Sequence, residues 1–186
     1  MLDNLSDIAN SRSINLIQRI KSFIYLKFHK VKFGRNTYVK KNFEIRKTDN
    51  SEITIGSNCI IQDYVYFLLT KPRPSLIIGD NVSIGRSTII AIKDRLVIGE
   101  NTEISANVFI CDQSHGISKD KLITDQLSII EPVEIGSDCW IGTNAVILKG
   151  VKVGKGSVIG ANSLVNTNIP EYQIWGGNPA KFIRNR

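Results

Sequence analysis

A period of six constrains this chain more than any other feature. From residue 135 to 166 it reads I-G-S-D-C-W, I-G-T-N-A-V, I-L-K-G-V-K, V-G-K-G-S-V, I-G-A-N-S-L, V-N. Ile135, Ile141, Ile147, Val153, Ile159 and Val165 fall six apart without a break, and Gly136, Gly142, Gly154 and Gly160 follow four of them. The fifth place of each unit holds Cys139, Ala145, Val151, Ser157 or Ser163, all small or β-branched. A surface helix repeats its apolar face every ~3.6 residues and a half-buried strand every ~2. A strict six matches neither. It suits a solenoid in which each unit is a short strand plus a turn, and like residues stack into ladders. Three units per turn make a triangular coil. The large aliphatic points inward, the small residue lies near a corner, and glycine or asparagine relieves the turn.

The phase is legible earlier in the chain. It becomes clear at Ile55-Gly56, with Ile61 and Phe67 at the next sixes. Residues 70–75, with Pro72 and Pro74, break the count, which resumes at Ile78-Gly79, Ile84-Gly85 and Ile90. Extra residues at 93–95 precede Ile98-Gly99, Ile104 and Ile110. Insertions in a solenoid belong at corners, where they leave the stack intact. The largest, residues 112–132, opens with D-Q-S-H-G and is long enough to project as a functional loop. We therefore expect an all-β solenoid over residues 35–168. Residues 31–39 form a first degenerate turn and the charged residues 44–50 loop out. In the tail, residues 169–186, Pro170 and Pro179 stop regular structure and Phe182 and Ile183 dock on the last coil.

Residues 1–34 are a cap or amphipathic segment. Residues 1–13 are polar. Within residues 14–33, Ile17, Ile20, Ile24 and Phe28, with Leu16 and Phe23 beside them, form an apolar face at helical spacing. Arg19, Lys21, Lys27, Lys30 and Lys32 supply cations. One reading is a helix that closes the open end of the solenoid. The other is a basic segment resting on an acidic membrane. Residues 28–33 also read as a strand entering the coil.

The net charge of +7 favours anionic partners. Nucleic acid is not expected, because no recognition helix or aromatic–basic interleaving accompanies the charge. No apolar run is long enough to span a bilayer, and no signal-peptide pattern opens the chain, so a cytoplasmic setting is the expectation. Three cysteines without a CxxC spacing argue against disulfides or a thiolate–metal centre, and Cys59 and Cys139 read as packing residues.

Two histidines are available for acid–base work. His29 lies in the basic N-terminal segment and is not expected to act. His115 stands where the regular coil gives way to the long loop, the usual place for a base held on a rigid scaffold. Asp112, Glu131 or a backbone carbonyl in residues 112–114 would orient its other ring nitrogen, and spacing does not rank them. Cys111 is a bystander. No nucleophile elbow, phosphate loop or zinc pattern is present. Lys149, Lys152, Lys155, Lys181, Arg184 and Arg186 make the C-terminal third basic enough to hold an anionic ligand along the coil.

Residues 53–184 resemble the hexapeptide-repeat acyltransferases, whose fold is a left-handed parallel β-helix. D-x-x-H-G at residues 112–116, C-W-I-G at 139–142 and G-G-N-P-A-K at 176–181 resemble the branch containing galactoside, maltose, serine and streptogramin acetyltransferases and the capsule and lipopolysaccharide O-acetyltransferases. The resemblance implies a homotrimer with sites between subunits, acetyl-CoA as co-substrate, no metal, and a histidine base, here His115. It places Asp112, Ser114, Glu131 and Trp140 on the orienting or acceptor side. Gly142, Ala145, Gly160 and Ala161 would leave room for the pantetheine arm. Asn178, Pro179 and Ala180 would lie near the adenine, with Lys181 and Arg184 at the phosphates. The basic N-terminal segment is most like that of the polysaccharide-cluster members. The expected activity is therefore O-acetylation of a sugar, nucleotide-sugar or lipid-linked glycan precursor. The alternatives are N-acetylation of an amino sugar, acetylation of a small antibiotic, and a non-catalytic solenoid.

Overall fold

Each unit contributes a short strand and a turn, and the chain places successive strands on three faces in strict rotation. The computed structural model describes residues 16–71 and 73–186. Coil 1 holds β1 (Lys32–Phe33), β2 (Tyr38–Val39) and β3 (Glu44–Lys47). Coil 2 holds β4 (Glu52–Ile55), β5 (Ile60–Ile61) and β6 (Tyr66–Leu69). Coil 3 holds β7 (Ser75–Ile78), β8 (Ser83–Ile84) and β9 (Ile89–Ile92), and coil 4 holds β10 (Arg95–Ile98), β11 (Glu103–Ile104) and β12 (Phe109–Cys111). An arm follows, with β13 (Gln113–Ser114), a 3-10 turn at Ile123–Asp125 and β14 (Ile129–Ile130). Coil 5 holds β15 (Val133–Ile135), β16 (Trp140–Ile141) and β17 (Val146–Ile147). Coil 6 holds β18 (Lys152–Val153), β19 (Val158–Ile159) and β20 (Leu164–Val165).

The first strands of the coils stack as face A, the second as face B and the third as face C. Pairing between coils is parallel, and aliphatic meets aliphatic: Ile55 pairs with Ile78, Ile78 with Ile98, Ile98 with Ile135, and Ile135 with Val153. The architecture is an all-β solenoid, as the repeat implied, and it is the left-handed parallel β-helix that the family resemblance implied.

Both the first and the fifth places of the unit point inside. Ile141, Ile147 and Ile159 are buried, and so are Cys139, Ala145, Val151, Ser157 and Ser163. The fourth and second places of the unit make different demands on the backbone. The fourth place takes positive φ: Asp138 57°, Asn144 60°, Gly150 74°, Gly156 71°, Asn162 58°. Asparagine tolerates this region better than most residues. The second-place glycines instead permit close stacking, since a Cβ on Gly142 would lie 2.6 Å from the Ala161 nitrogen. Asparagines also form a ladder along the coils, in which each side-chain Nδ2 donates a hydrogen bond to the next Oδ1: Asn36 to Asn58 (3.3 Å), Asn58 to Asn81 (3.2 Å) and Asn81 to Asn101 (3.0 Å).

Residues 44–50 do not loop out. Glu44–Lys47 is β3, paired in register with β6, and Ile45 is buried while Glu44 and Arg46 point to solvent. The tail also keeps regular structure. β21 (Gln173–Gly176) extends face B parallel to β19, and β22 (Lys181–Asn185) returns antiparallel to it. Pro170 and Pro179 lie outside these strands, where no ladder donor is needed. Phe182 packs edge-on against Trp175 at 6.2 Å, yet Phe182 and Ile183 both remain exposed.

Helix α1 (Leu16–Phe28) closes the open end of coil 1. An open strand edge presents unpaired backbone groups that need partners. The Val39 carbonyl accepts from Gln18 Nε2 and from Ser22 Oγ, each at 2.8 Å. Val39 N–H donates to Ser22 Oγ at 3.2 Å, and Ile45 N–H to the Tyr25 hydroxyl at 3.1 Å. Leu26 plugs the interior. The docking side is thus the polar one. Leu16, Ile17, Ile20, Phe23, Ile24 and Phe28 face away and are 51% to 81% exposed. After α1 the chain turns into β1, so residues 28–33 are split between helix end and strand. Expectations for residues 1–15 and Pro72 lie outside the described residues. Among the described residues, no helix is long and apolar enough to cross a membrane.

Candidate active site

The arm that carries His115 leaves from the corner between faces C and A, and Asp112 anchors it. Asp112 is buried at the end of β12. Its Oδ1 accepts the Lys93 N–H (2.8 Å), and its Oδ2 accepts those of Asp94 (2.7 Å) and Arg95 (3.0 Å). The extra residues at 93–95 therefore form a corner whose amides converge on this carboxylate. Burial pushes the Asp112 carboxyl above its ordinary range, and the three amides pull it part of the way back. The Asp112 carbonyl accepts the Glu131 N–H at 2.8 Å, closing the base of the arm beside the antiparallel β13–β14 pair.

The arm is stapled from within. Gln126 Oε1 accepts the Ser118 N–H (2.8 Å), and Gln126 Nε2 donates to the Ser118 and Lys121 carbonyls (3.0 Å each). Lys93 Nζ reaches Ser128 Oγ at 2.8 Å. The Gln126 side chain crosses over Gly116, where a Cβ would meet its Oε1 at 2.8 Å, so the glycine after His115 has a packing reason. His115 itself is exposed on the arm. Ser114 Oγ donates to the His115 carbonyl at 3.3 Å.

The two carboxylates that spacing could not rank are both engaged elsewhere. Asp112 holds the 93–95 corner, and Glu131 pairs with Lys149 at 2.7 Å. Among the described residues, no hydrogen bond reaches the His115 imidazole.

A second group of residues sits on face B. Trp140, in β16 between Glu103 and Val158, donates its Nε1 hydrogen to Ser105 Oγ at 3.0 Å and is 53% exposed. Gly142 lies close under Ala161, and Ala161 is exposed at the corner with face C. Asn178, Pro179, Lys181 and Arg184 are exposed on the β21–β22 hairpin. Gly160 is half-buried beside Trp175 and Gly176. Two of the sequence candidates turn inward: Ala145 is packed in the coil interior, and Ala180 is buried with its N–H on the Leu164 carbonyl (2.8 Å). Their small size serves packing.

In a triangular prism the C–A corner lies opposite face B. A single chain therefore holds His115 and Trp140 on opposite sides.

Face B carries one feature that the sequence did not reveal. A groove of about 700 Å³ runs beneath α1, lined among others by Arg19, Tyr38, Gln62, Ser83 and Glu103. Arg19 lies over the Tyr38 ring at 5.2 Å. Its residues come from α1 and four coils, so only stacking brings them together. Glu103 is the direct neighbour of Trp140 in the sheet.

The cysteines are free and buried, and burial pushes all three thiols above their ordinary pKa, which suits packing and not nucleophilic attack. Among the described residues, no cluster of His, Cys, Asp and Glu could hold a metal.

The model of the bacterial transferase hexapeptide (six repeats) matches residues 132–167. The Escherichia coli protein assigned as the colanic acid biosynthesis acetyltransferase WcaF is 31% identical over 132 residues, 71% of this chain and 69% of its own length. Escherichia coli galactoside O-acetyltransferase is 32% identical over 137 residues, 70% of this chain and 63% of its own length. The chain spans from 25% to 62% of the length of other acetyltransferase relatives it matches. Among solved structures, AntD, an N-acyltransferase from Bacillus cereus in complex with dTDP and 3-hydroxybutyryl-CoA, superimposes with a TM-score of 0.77. That match covers 89% of this chain and 88% of AntD at 20% identity, and it shows a common fold. The unbroken six-residue stack, the matched repeats and the WcaF alignment agree: this chain belongs to the bacterial hexapeptide-repeat transferase family.

Proposed function

We propose that this chain transfers an acetyl group from acetyl-CoA to a nucleophile on a sugar, with His115 as general base. Each site is assembled from two copies in a trimer. The observation that carries the reading is the separation of the two motif-bearing regions. The His115 arm and the Trp140 face lie on opposite sides of one prism, so an arm meets such a face only on a neighbour. The arm also exposes Ile117, Leu122, Ile123 and Leu127, an apolar surface suited to burial between copies.

The chemistry follows from the groups present. Holding donor and acceptor in line removes much of the entropic barrier. His115 takes the acceptor proton as the nucleophile attacks the thioester carbonyl. When the carbon–sulfur bond breaks, the imidazolium returns that proton to the thiolate. No covalent enzyme intermediate is needed. Trp140, held by Ser105, walls the reacting end. The narrow strip of Gly142, Gly160 and Ala161 admits the pantetheine arm, and exposed Lys181 and Arg184 meet its phosphates. The polar groove beneath α1 receives the acceptor, with Arg19 available to an anionic group. An acetyl-CoA donor implies a cytoplasmic reaction.

The nucleophile has two readings. AntD is an N-acyltransferase, and a single-residue variant of it was solved with dTDP-4-amino-4,6-dideoxyglucose and coenzyme A, with 89% of this chain covered. This wider coverage favours an amino sugar. The relatives assigned to colanic acid and galactoside acetylation favour a hydroxyl over a smaller part of the chain. One imidazole serves either nucleophile.

The test is thiol release from acetyl-CoA across nucleotide-linked amino sugars, their hydroxyl counterparts, free sugars, lipid-linked glycans and small antibiotics. Release with one class, lowered about 10²-fold or more in His115→Ala, supports the reading. Release with none would return the chain to a non-catalytic solenoid. Unchanged turnover in His115→Ala would remove that residue from its role.

A further inference from the structure

We propose that the outward face of α1 docks this protein on an anionic lipid surface, an interaction that acyl transfer itself does not use. At ~100° per residue, the helix divides into two opposed arcs. Gln18, Ser22, Tyr25 and Leu26 form the arc that closes coil 1. Leu16, Ile17, Ile20, Phe23, Ile24 and Phe28 form the other, and all are exposed. The helix cannot roll to hide this stripe, because rolling would strip the Val39 and Ile45 backbone groups of their partners. A contiguous apolar stripe held outward by polar bonds on its far side needs an occupant.

Charge identifies it. Lys21 borders the stripe on one side, Lys27 lies near its C-terminal end and Lys30 follows, while Arg19 on the other side turns over the Tyr38 ring in the groove. Residues 16–30 contain no Asp or Glu. A second copy seated face to face would bring these cations against their equivalents. Anionic lipid satisfies both features at once, with acyl chains for the stripe and headgroups for the cations. Docking would set the open end of coil 1 on the membrane. The His115 arm, three stacking steps higher, would stand about 14 Å above coil 1 at ~4.8 Å per step. An acceptor carried near the headgroups is within reach of that height.

The test uses the full chain and vesicles of equal parts phosphatidylglycerol and phosphatidylcholine, against vesicles of phosphatidylcholine alone. The unsubstituted protein should sediment with the mixed vesicles at least about tenfold more than with the neutral ones, and added salt should release it. Ile20→Glu with Ile24→Glu should weaken sedimentation at least about tenfold. Both positions are exposed, so the melting temperature and thiol release with a soluble acceptor should not change. Three results would overturn the proposal: no sedimentation of the unsubstituted protein, equal sedimentation of the double variant, or a double variant whose mass by light scattering falls while lipid binding persists. The last would assign the face to contacts between copies. Because vesicle binding is read without catalysis, it stands or falls separately from acyl transfer.

Discussion

The coil and the arm that leaves it at Asp112 are held together by different means. In the coil, each residue stacks on a similar residue of the next turn, and the interior is filled by aliphatics such as Ile98, Ile135 and Val153. The arm has no such copies. Beyond the short β13–β14 pair at its base, it depends on single side-chain contacts: Asp112 at the 93–95 corner, Gln126 across Gly116, and Lys93 on Ser128. Its apolar side chains are exposed, with Leu127 at 88%. The coil is therefore a scaffold complete within one chain, whereas the arm is a precise shape whose apolar surface still lacks a cover. Stability should reside in the first and activity in the second.

Substitutions can break this contrast. The largest loss of stability should come from the coil. Ile141→Ala, in the middle of the stack, should cost about 2–5 kcal/mol in urea unfolding. A cost near zero would mean that the interior is not packed as described. His115→Ala should show the reverse, with turnover down about 10²-fold, equivalent to ~2.7 kcal/mol of barrier, and an unchanged melt. Asp112→Asn sits at the junction. Its amide would face one of the three N–H groups with a donor, so about 1–3 kcal/mol of stability should be lost along with activity. Loss of activity alone would show that the corner does not need the carboxylate. The smallest effect concerns the thiols. Cys59, Cys111 and Cys139 should resist a thiol reagent in the native protein and react together only on unfolding, because each is buried with a raised pKa. Native labelling of Cys111 alone would mean that the arm opens at its base.

The coil was legible because a ladder repeats its own signal. A six-residue spacing of aliphatics is visible in any stretch longer than two units, and asparagine at the fourth place matches the positive φ found there. Within the charged stretch 44–50, the strand Glu44–Lys47 is hard to see in the sequence, because Glu44, Arg46 and Lys47 surround one inward Ile45 and resemble a charged loop. The helix was legible, but its docking side was not. Hydrogen bonds to strand edges fix that side, and apolar periodicity pointed to the other. The position of His115 on an excursion from the coil was legible from the break in the repeat. The lack of a carboxylate partner for His115 was not, because the claims of residues 93–95 on Asp112 and of Lys149 on Glu131 depend on contacts across turns. The groove beneath α1 was hidden for the same reason.

In the proposed trimer, one copy supplies the base and its neighbour supplies the donor face. Chains carrying His115→Ala can be co-assembled with chains carrying Ala161→Trp, which would fill the narrow strip on face B. Each variant alone should be inactive. Random mixing in a three-fold ring leaves about a quarter of the interfaces with an intact arm opposite an intact face. Recovery of about that fraction of the unsubstituted activity is the expected result. No recovery, in mixtures shown to contain both chains in one assembly, would contradict it.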